Sequence, residues 1–324
     1  MPRSYVRALV ALLCVLPGFA ASQPAAWPTR PVRFIVAYPP GGSTDVAARL
    51  VAEHLGPALG QTVVVENKAG AGGTIGAAYV ANADADGYTL LFGSAAELTI
   101  ANVTRKSVPF DTLRDFKPVT LIGRVPFLLV TNAKLPPKDM KSFLEWAKAN
   151  PGKVNYSSFG SNTTNHLTGE AFKAAAGIDA THVPYKGSSP SITDLLGGQV
   201  QYTFDTITAT LPHVKSGGLR AIAVTLPERT ALLPDLPTVS ESGLPGFVGG
   251  TWFGVMAPAR TPPEVVDRLG SELRAVLQSA AVRKAFGDKG IEPAGLAPAE
   301  FAQFIGSEQG RWRDLAKKIG LEPQ

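Results

Sequence analysis

Short β-rich runs alternate with helical patterns along most of this 324-residue sequence, and that alternation restricts the possible folds more than any other feature. The run at 33–38 is strand-like, 44–59 carries its apolar residues on one helical face, and 62–66 is strand-like again. A helix pattern at 74–82 and a strand pattern at 88–92 continue the series. Such a series is typical of parallel βαβ units, so the sequence predicts an α/β protein.

A second series of the same kind begins near residue 127 and predicts a second α/β lobe. Its expected strands lie at 154–158, 180–183, 199–204 and 220–225. The helical patterns around these strands lie at 138–149, 165–176, 189–196 and 209–216. A Pro/Gly-rich passage then leads to a strand-like run at 252–256 and to closing helices at 263–277, 281–286 and 298–318.

We therefore expect two lobes, each a mainly parallel sheet flanked by helices, with a ligand cleft between them. The first lobe comprises 27–126 plus 250–324, and the second comprises 132–248. Two crossings, near 127–131 and 249–256, are expected to join the lobes as a hinge. Ligands of open α/β sheets sit beyond the carboxyl ends of strands, so the loops that follow strands are the candidate site.

The N-terminus predicts an exported protein. Arg3 and Arg7 precede an apolar run at 8–15, and small residues follow at 20–22, which is the pattern of a cleaved signal peptide over residues 1–22. The apolar run is too short to span a membrane, which takes about 20 residues. The expected location is therefore the periplasm. Cys14 is the only cysteine, so we expect a mature chain without thiols or disulfides.

The charge balance argues against a nucleic-acid-binding role. The net charge of +5 falls to +3 when Arg3 and Arg7 are removed, because residues 1–22 contain no acid. We find no dense run of Lys and Arg that would make a basic stripe. The mild positive surplus instead favours the attraction of small anions.

The first candidate site is the loop Tyr38-Pro-Pro-Gly-Gly-Ser-Thr-Asp45 between the first strand and the first helix. Gly41 and Gly42 permit close approach of a ligand to the backbone, and Ser43 or Thr44 can cap the helix. A helix start of this kind presents N–H groups to an anion such as a carboxylate. The same pattern also fits an ordinary β-to-α turn.

A second polar loop, Gly160-Ser-Asn-Thr-Thr-Asn-His166, occupies the equivalent place in the second lobe. Its hydroxyl and amide side chains can satisfy ligand atoms or simply cap the following helix. Two further strand ends carry Tyr185, which can line the cleft or pack, and Asp205, which can accept from a ligand or cap a helix. Two anion-compatible helix starts that face one cleft favour the binding interpretation.

Catalytic and cofactor motifs are largely missing. The four histidines are scattered without metal-ligand spacing, and the glycine run at 70–76 lacks the order that a dinucleotide loop needs. We find neither a Gly-x-Ser-x-Gly elbow nor a phosphate-binding loop. We therefore expect no metal, no cofactor and no enzymatic activity. The enzyme alternative is an exported serine hydrolase with a Ser161/His166 dyad, for which no acid partner is visible.

With these loops in place, the sequence resembles the Bug-type (Bordetella uptake gene) solute receptors of the tripartite tricarboxylate transporter family. The resemblance rests on the joint order and spacing of several segments along nearly the whole mature length. These segments are Trp27-Pro-Thr-Arg-Pro31, Pro40-Gly-Gly-Ser-Thr-Asp45, Val65-Glu-Asn-Lys-Ala-Gly-Ala-Gly-Gly-Thr-Ile-Gly76, Asp86-Gly-Tyr-Thr-Leu90, His182-Val-Pro-Tyr-Lys-Gly187, Leu196-Gly-Gly-Gln-Val200 and Pro234-Asp-Leu-Pro-Thr238.

The resemblance implies a two-lobed fold like that of type II periplasmic binding proteins. It also implies a small carboxylate ligand (a dicarboxylate, tricarboxylate, acidic amino acid or aromatic acid) and delivery of that ligand to a tripartite tricarboxylate transporter permease. The alternative partner is a membrane sensor kinase, and we expect a monomer. The second loop departs from the commonest family pattern, which carries more Gly and Ser at 162–164. The predicted ligand-binding residues are Tyr38, Gly41, Gly42, Ser43, Thr44, Asp45, Ser94, Gly160, Ser161, Asn162, Thr164, Tyr185 and Asp205.

Overall fold

The computed structural model describes residues 27–323, which form two β-sheets with helices packed on their faces. The predicted signal peptide at 1–22 lies outside the described residues. Within 27–323, no helix is both long enough and apolar enough to cross a membrane.

The strands follow the predicted series with two additions. Their bounds are β1 Val32–Val36, β2 Val63–Asn67, β3 Thr89–Ser94, β4 Phe116–Val125, β5 Phe127–Asn132, β6 Asn155–Ser158, β7 Thr181–Pro184, β8 Tyr202–Thr206, β9 Leu219–Val224, β10 Thr251–Pro258 and β11 Glu292–Pro293. The additions are β11, which is a two-residue strand, and β4, which has ten residues.

The helices also follow the predicted series, apart from two short ones. Their bounds are α1 Ser43–Leu59, α2 Thr74–Ala81, α3 Ala101–Thr104, α4 Thr112–Asp115, α5 Met140–Ala149, α6 Thr164–Ala176, α7 Ser188–Leu196, α8 Ile207–Lys215, α9 Pro263–Gln278, α10 Ala280–Gly287 and α11 Pro298–Lys318. A π-helical turn at Ala96–Ile100 leads directly into α3, and a single 3₁₀ turn at Ala71–Gly73 leads into α2.

Both sheets are mixed. The first has the strand order β11-β4-β10-β3-β1-β2, with β1 parallel to β2 and β3 and with β10 antiparallel to β3 and β4. The second has the order β7-β6-β8-β5-β9, with β6 parallel to β7 and β8 and with β5 antiparallel to β8 and β9. The strands that crossover helices connect are parallel, as such connections require. The antiparallel partners arise because β4 carries the chain out of the first sheet and β10 brings it back beside β4.

The two passages between the sheets lie side by side. Pro126 alone separates β4 from β5, and Gly250 immediately precedes β10. A Cβ atom at Gly250 would lie 2.7 Å from the Val125 carbonyl oxygen, so only glycine fits there. Buried Thr225 joins both passages, because its Oγ1 accepts from the Phe127 N–H at 3.0 Å and donates to the Gly249 carbonyl at 2.8 Å. The predicted crossing at 127–131 lies within β5, and the one at 249–256 comprises Gly249, Gly250 and the first part of β10.

The first sheet is covered on both faces, which explains why residues 34–36 of β1 are all apolar. Phe34 packs in the cluster that holds Val51 of α1 and Leu269 of α9. Its neighbour Ile35 points to the other face and packs with residues of α2 and α11, among them Phe301. Side chains alternate across a strand, so a strand buried on both sides has no polar face.

Packing of α2 on β1 depends on Gly76. A Cβ atom there would lie 2.8 Å from the Lys68 carbonyl oxygen and 2.9 Å from Ala37 Cα, and both are backbone atoms that cannot turn aside. We expect Gly76→Ala to lower the free energy of unfolding by about 1–3 kcal/mol through overpacking. Urea unfolding measures this quantity directly.

The matched control is Gly306→Ala in α11, where an added Cβ meets nothing within 4 Å. Alanine is the better helix former, so this variant should have a free energy of unfolding that is higher by about 0.5–1 kcal/mol. A Gly76→Ala protein as stable as the Gly306→Ala protein would contradict the close approach of α2 to β1.

Candidate functional site

Three helices begin at the predicted loops without a side-chain cap. The N-cap residues are Gly42 for α1, Thr163 for α6 and Gly187 for α7, and no side chain bonds to the first-turn N–H groups of these helices. Capping of α1 by Ser43 or Thr44 was expected and is wrong, because both residues already lie inside the helix. The first N–H groups of a helix have no intrahelical partner, so each start presents donors and a partial positive charge.

Asp45 fixes the shape of the first loop. Its carboxylate is 3% exposed and accepts from the Gly41 N–H at 3.0 Å, from Arg49 Nε at 3.0 Å and Nη2 at 2.9 Å, and from Asn67 Nδ2 at 2.9 Å. Asn67 Nδ2 also donates to the Tyr38 carbonyl at 2.9 Å. The loop is thus tied to β2 at one end and to its own helix at the other.

The charge of Asp45 is stabilised by these bonds. Burial acts to raise the pKa of its carboxyl, but the hydrogen bonds from Arg49, the Gly41 N–H and Asn67 outweigh burial and lower the pKa below its usual value. Asp45 therefore stays ionised, and its side chain is occupied by the loop.

A small cavity lies between the starts of α1 and α7. Its volume is about 20 Å³, which holds about one water molecule. The residues that line it are Tyr38, Pro39, Gly42, Ser43, Thr44, Ser94, Phe159, Ser188 and Thr251. None of these residues carries a charge. The lobes are in contact here, because Ser189 Oγ donates to the Pro40 carbonyl at 3.1 Å.

A buried acid supports one wall of this cavity. Glu97 is fully buried and accepts from Ser94 Oγ at 2.6 Å, from the Ser94 N–H at 2.6 Å and from Tyr38 Oη at 3.0 Å. Burial raises the pKa of Glu97, and the bonds from Ser94 and Tyr38 partly oppose this effect. These bonds hold the Ser94 hydroxyl and the Tyr38 ring in place at the cavity surface.

A second cavity of about 260 Å³ adjoins the first, and Tyr38 and Phe159 line both. The first lobe contributes residues 70–73 and Arg105, and the second lobe contributes 159–161 and 184–186. The predicted residues Gly160, Ser161 and Tyr185 thus lie at this cavity. Tyr185 is held there by its hydroxyl, which donates to Asp194 Oδ2 at 2.7 Å.

Five predicted residues line neither cavity: Gly41, Asp45, Asn162, Thr164 and Asp205. Asp205 is fully buried, and it accepts from Ser188 Oγ at 2.6 Å and from the Thr206 N–H at 2.7 Å. Burial raises the pKa of this carboxyl to about 6. Asp205 therefore lies behind Ser188 and positions the hydroxyl that reaches the first cavity.

The second loop keeps several polar atoms without protein partners. Asn162 has a left-handed backbone (φ +59°), and within 27–323 its Oδ1 is buried without a hydrogen bond. Thr164 Oγ1 and Asn165 Nδ2 are in the same state. Buried polar atoms without a partner are costly, and none of these three residues lines either cavity.

A stacked histidine pair lies beneath this loop. The rings of His166 and His182 are 3.9 Å apart between centroids, with an interplanar angle of 26°. His166 Nδ1 accepts from the Asn162 N–H at 3.1 Å, and His182 Nε2 is 2.7 Å from Ser158 Oγ. Within 27–323, no hydrogen bond joins His166 to Ser161, so the hydrolase dyad has no geometric support.

Sequence reasoning missed several lining residues. Phe159 and Thr251 are strand-end residues without any motif, and Arg105 lies after a short helix that the sequence pattern did not indicate. Ser188 stands at the end of a loop that was singled out for Tyr185, and its position at the start of α7 was the available signal. Within the described chain, no group of three or more potential ligand residues is placed to hold a metal ion.

Comparison with known proteins places the chain in one family. The sequence model described as "Tripartite tricarboxylate transporter family receptor" matches residues 47–321. The protein BugT of Bordetella pertussis is 40% identical over 317 residues, which are 97% of each chain.

Two solved structures share the whole architecture. The periplasmic binding protein BugD is 38% identical, with a TM-score of 0.89 over 92% of this chain and 100% of its own. A protein of R. palustris solved with adipate is 37% identical, with a TM-score of 0.90 over 92% of this chain and 100% of its own. The fold is therefore that of the two-lobed periplasmic binding proteins.

The histidine pair predicts a pH dependence of stability. Burial lowers the pKa of His166 to about 4 and that of His182 to about 3, while Glu170 opposes this for His166 and Lys173 adds to it for both. The unfolded chain binds these protons first, so the stability is complete above about pH 6.5 and is lost as the pH falls toward 4. His166→Asn should flatten the fall between pH 7 and 4.5 by on the order of 1 kcal/mol.

Chemical unfolding at several pH values measures this slope. Asp205 changes the stability in the opposite direction, because its raised pKa makes the folded state bind a proton before the unfolded state does. Wild type and variant must therefore be compared at every pH. His213→Asn leaves the stacked pair intact and controls for the loss of one histidine. Parallel pH profiles for wild type and His166→Asn would mean that the pair is not held neutral.

Proposed function

This chain belongs to the receptors of the tripartite tricarboxylate transporter family, and from that premise we propose that it is a periplasmic receptor. It binds a small carboxylate and delivers it to the membrane permease of such a transporter. The observation that carries the proposal is the first cavity, which lies between the starts of α1 and α7 and has hydroxyl groups but no charged side chain on its wall.

A carboxylate suits this cavity for a physical reason. Helix starts supply N–H donors and partial positive charge without a cation. The Ser43 hydroxyl lines the same space and can donate one more bond, whereas the hydroxyls of Ser94 and Ser188 already donate to Glu97 and Asp205. The protein of R. palustris solved with adipate supports the same ligand class.

The lobes must separate before a ligand can enter. The first cavity holds about one water molecule, which is too little for a carboxylate and its carbon chain. The two adjacent passages at Pro126 and Gly250 are the natural hinge, since only two short connections change there. Ligand entry into an open cleft followed by closure is therefore part of the proposal.

A carboxylate screen tests this function. A ligand that binds the folded state alone must raise its apparent stability. We expect one class among dicarboxylates, tricarboxylates, acidic amino acids and aromatic acids to raise the melting temperature by several degrees. The same ligand should reduce the radius of gyration in small-angle scattering, because it closes the cleft.

The amide of the best ligand is the control, since it keeps the size and loses the negative charge. An equal shift with acid and amide would argue against a site for carboxylates. If no carboxylate shifts the melting temperature of protein that was unfolded and refolded to remove bound solutes, the receptor proposal is wrong.

Asp45 should control affinity without touching the ligand. In Asp45→Asn the Gly41 N–H and Arg49 lose their charged acceptor, so the first loop is no longer held in one shape. We expect the dissociation constant to rise at least about tenfold, while the unliganded protein loses about 1–3 kcal/mol of stability. Calorimetric titration with the ligand from the screen gives the first quantity and urea unfolding gives the second.

Asp86→Asn is the matched control, because Asp86 forms an exposed ion pair with Arg30 on the same lobe. Its affinity should equal that of wild type. An Asp45→Asn protein with wild-type affinity would remove the first loop from the site.

A further inference from the structure

The second cavity is electropositive, in contrast to the first. Arg105 and Lys186 are the charged residues among those that line it, and no carboxylate is among them. Within 27–323, neither residue is within 4.0 Å of an acidic side chain, since the ion pairs of that range involve other cations. A cleft wall with two cations and no counter-charge attracts an anion.

Arg105 is held in place at this wall with bonding capacity left over. Its Nη2 donates to the Ala71 carbonyl at 2.9 Å, while its Nε is buried and has no acceptor among the described residues. A buried donor without an acceptor is unfavourable unless something else supplies the acceptor. The guanidinium is therefore anchored to the Ala71 carbonyl and still has an N–H donor that lacks an acceptor among the described residues.

Gly72 leaves the space that the Arg105 guanidinium occupies. Gly72 has φ +60°, and a Cβ atom there would lie 3.0 Å from Arg105 Nη2 and 3.2 Å from the Ser161 carbonyl oxygen. A side chain at position 72 would therefore collide with the Arg105 guanidinium on one side and with the Ser161 carbonyl of the second lobe on the other. Glycine at this position lets Arg105 lie directly at the interface between the lobes.

The two cavities share part of their lining. Tyr38 and Phe159 line both, so a ligand that fills both cavities lies against these two rings. Tyr38 itself is fixed by Glu97 and cannot serve as a counter-ion for Arg105. A cavity of about 260 Å³ holds a short carbon chain with a second polar group.

We propose that Arg105 binds the second carboxylate of a dicarboxylate whose first carboxylate lies between the starts of α1 and α7. This inference rests on the proposed function and names its substrate class. The planar guanidinium matches a carboxylate through paired N–H donors, which a lysine cannot do. Lys186 is exposed at the rim and adds attraction without fixed geometry.

Matched pairs of acids test the assignment. Adipate and hexanoate have the same number of carbons, as do succinate and butyrate, and each pair differs by one carboxylate. Calorimetric titration of the purified protein should show a preference for the diacid of the better pair by at least about tenfold. Arg105→Gln should weaken the diacid by about tenfold or more and leave the monoacid within about twofold, so that the preference disappears.

Two further variants make the result specific. Arg105→Lys keeps the positive charge and loses the paired N–H donors of the guanidinium, so it should retain part of the preference for the diacid. Arg260→Gln removes the same charge from an exposed turn and should leave the preference at its wild-type value. Equal weakening of diacid and monoacid in Arg105→Gln, with a folded Arg105→Lys behaving likewise, would overturn the inference.

Other outcomes separate this inference from the proposed function. If wild type binds the diacid and the monoacid equally well, the second carboxylate has no partner and Arg105 is not a specificity residue, while the carboxylate receptor stands. If the preference exists but survives in both Arg105 variants, another residue reads the second carboxylate. If no acid of any length binds wild type, both the inference and the proposed function fail.

Discussion

The buried carboxylate of Asp45 is the interaction on which the site depends. It joins the Gly41 N–H, the Arg49 guanidinium and the Asn67 amide, and through Asn67 it reaches the carbonyl of Tyr38. A buried charge is tolerable only when it is paired and hydrogen-bonded, and here the pairing also sets the shape of a loop. Because the loop leaves its helix uncapped, the donors at the start of α1 stay available to a ligand.

In the proposed site, two kinds of positive charge bind the two ends of the ligand. The first cavity uses helix starts and hydroxyls, which carry no formal charge and need no counter-ion. The second uses Arg105, whose formal charge lies nearer to solvent and at the contact between the lobes. A dicarboxylate would therefore be recognised at its inner end by shape and dipoles and at its outer end by a guanidinium.

The sequence predicted the loops better than the contacts. The alternation of strand and helix patterns located most elements, and glycine with small hydroxyl residues marked the start of α1, because those residue types have local causes. The strand β4 was missed because Pro118 and Gly123 resemble breakers, and they are accommodated where its pairing with β10 shifts register. Arg105 and Ser188 were missed as lining residues because only the approach of the two lobes makes them neighbours of the cleft.

The contacts between the lobes and those of the ligand together determine when the cleft closes. Ser189 meets Pro40, Gly72 lies against Ser161, and Leu167 of the second lobe packs with Ile100 and Trp312 of the first in one buried cluster. A ligand that bonds to the starts of α1 and α7 at once adds contacts that exist only in the closed state. Closure is then driven by the ligand's higher affinity for the closed state than for the open state. The closed shape therefore indicates that the cleft contains a ligand.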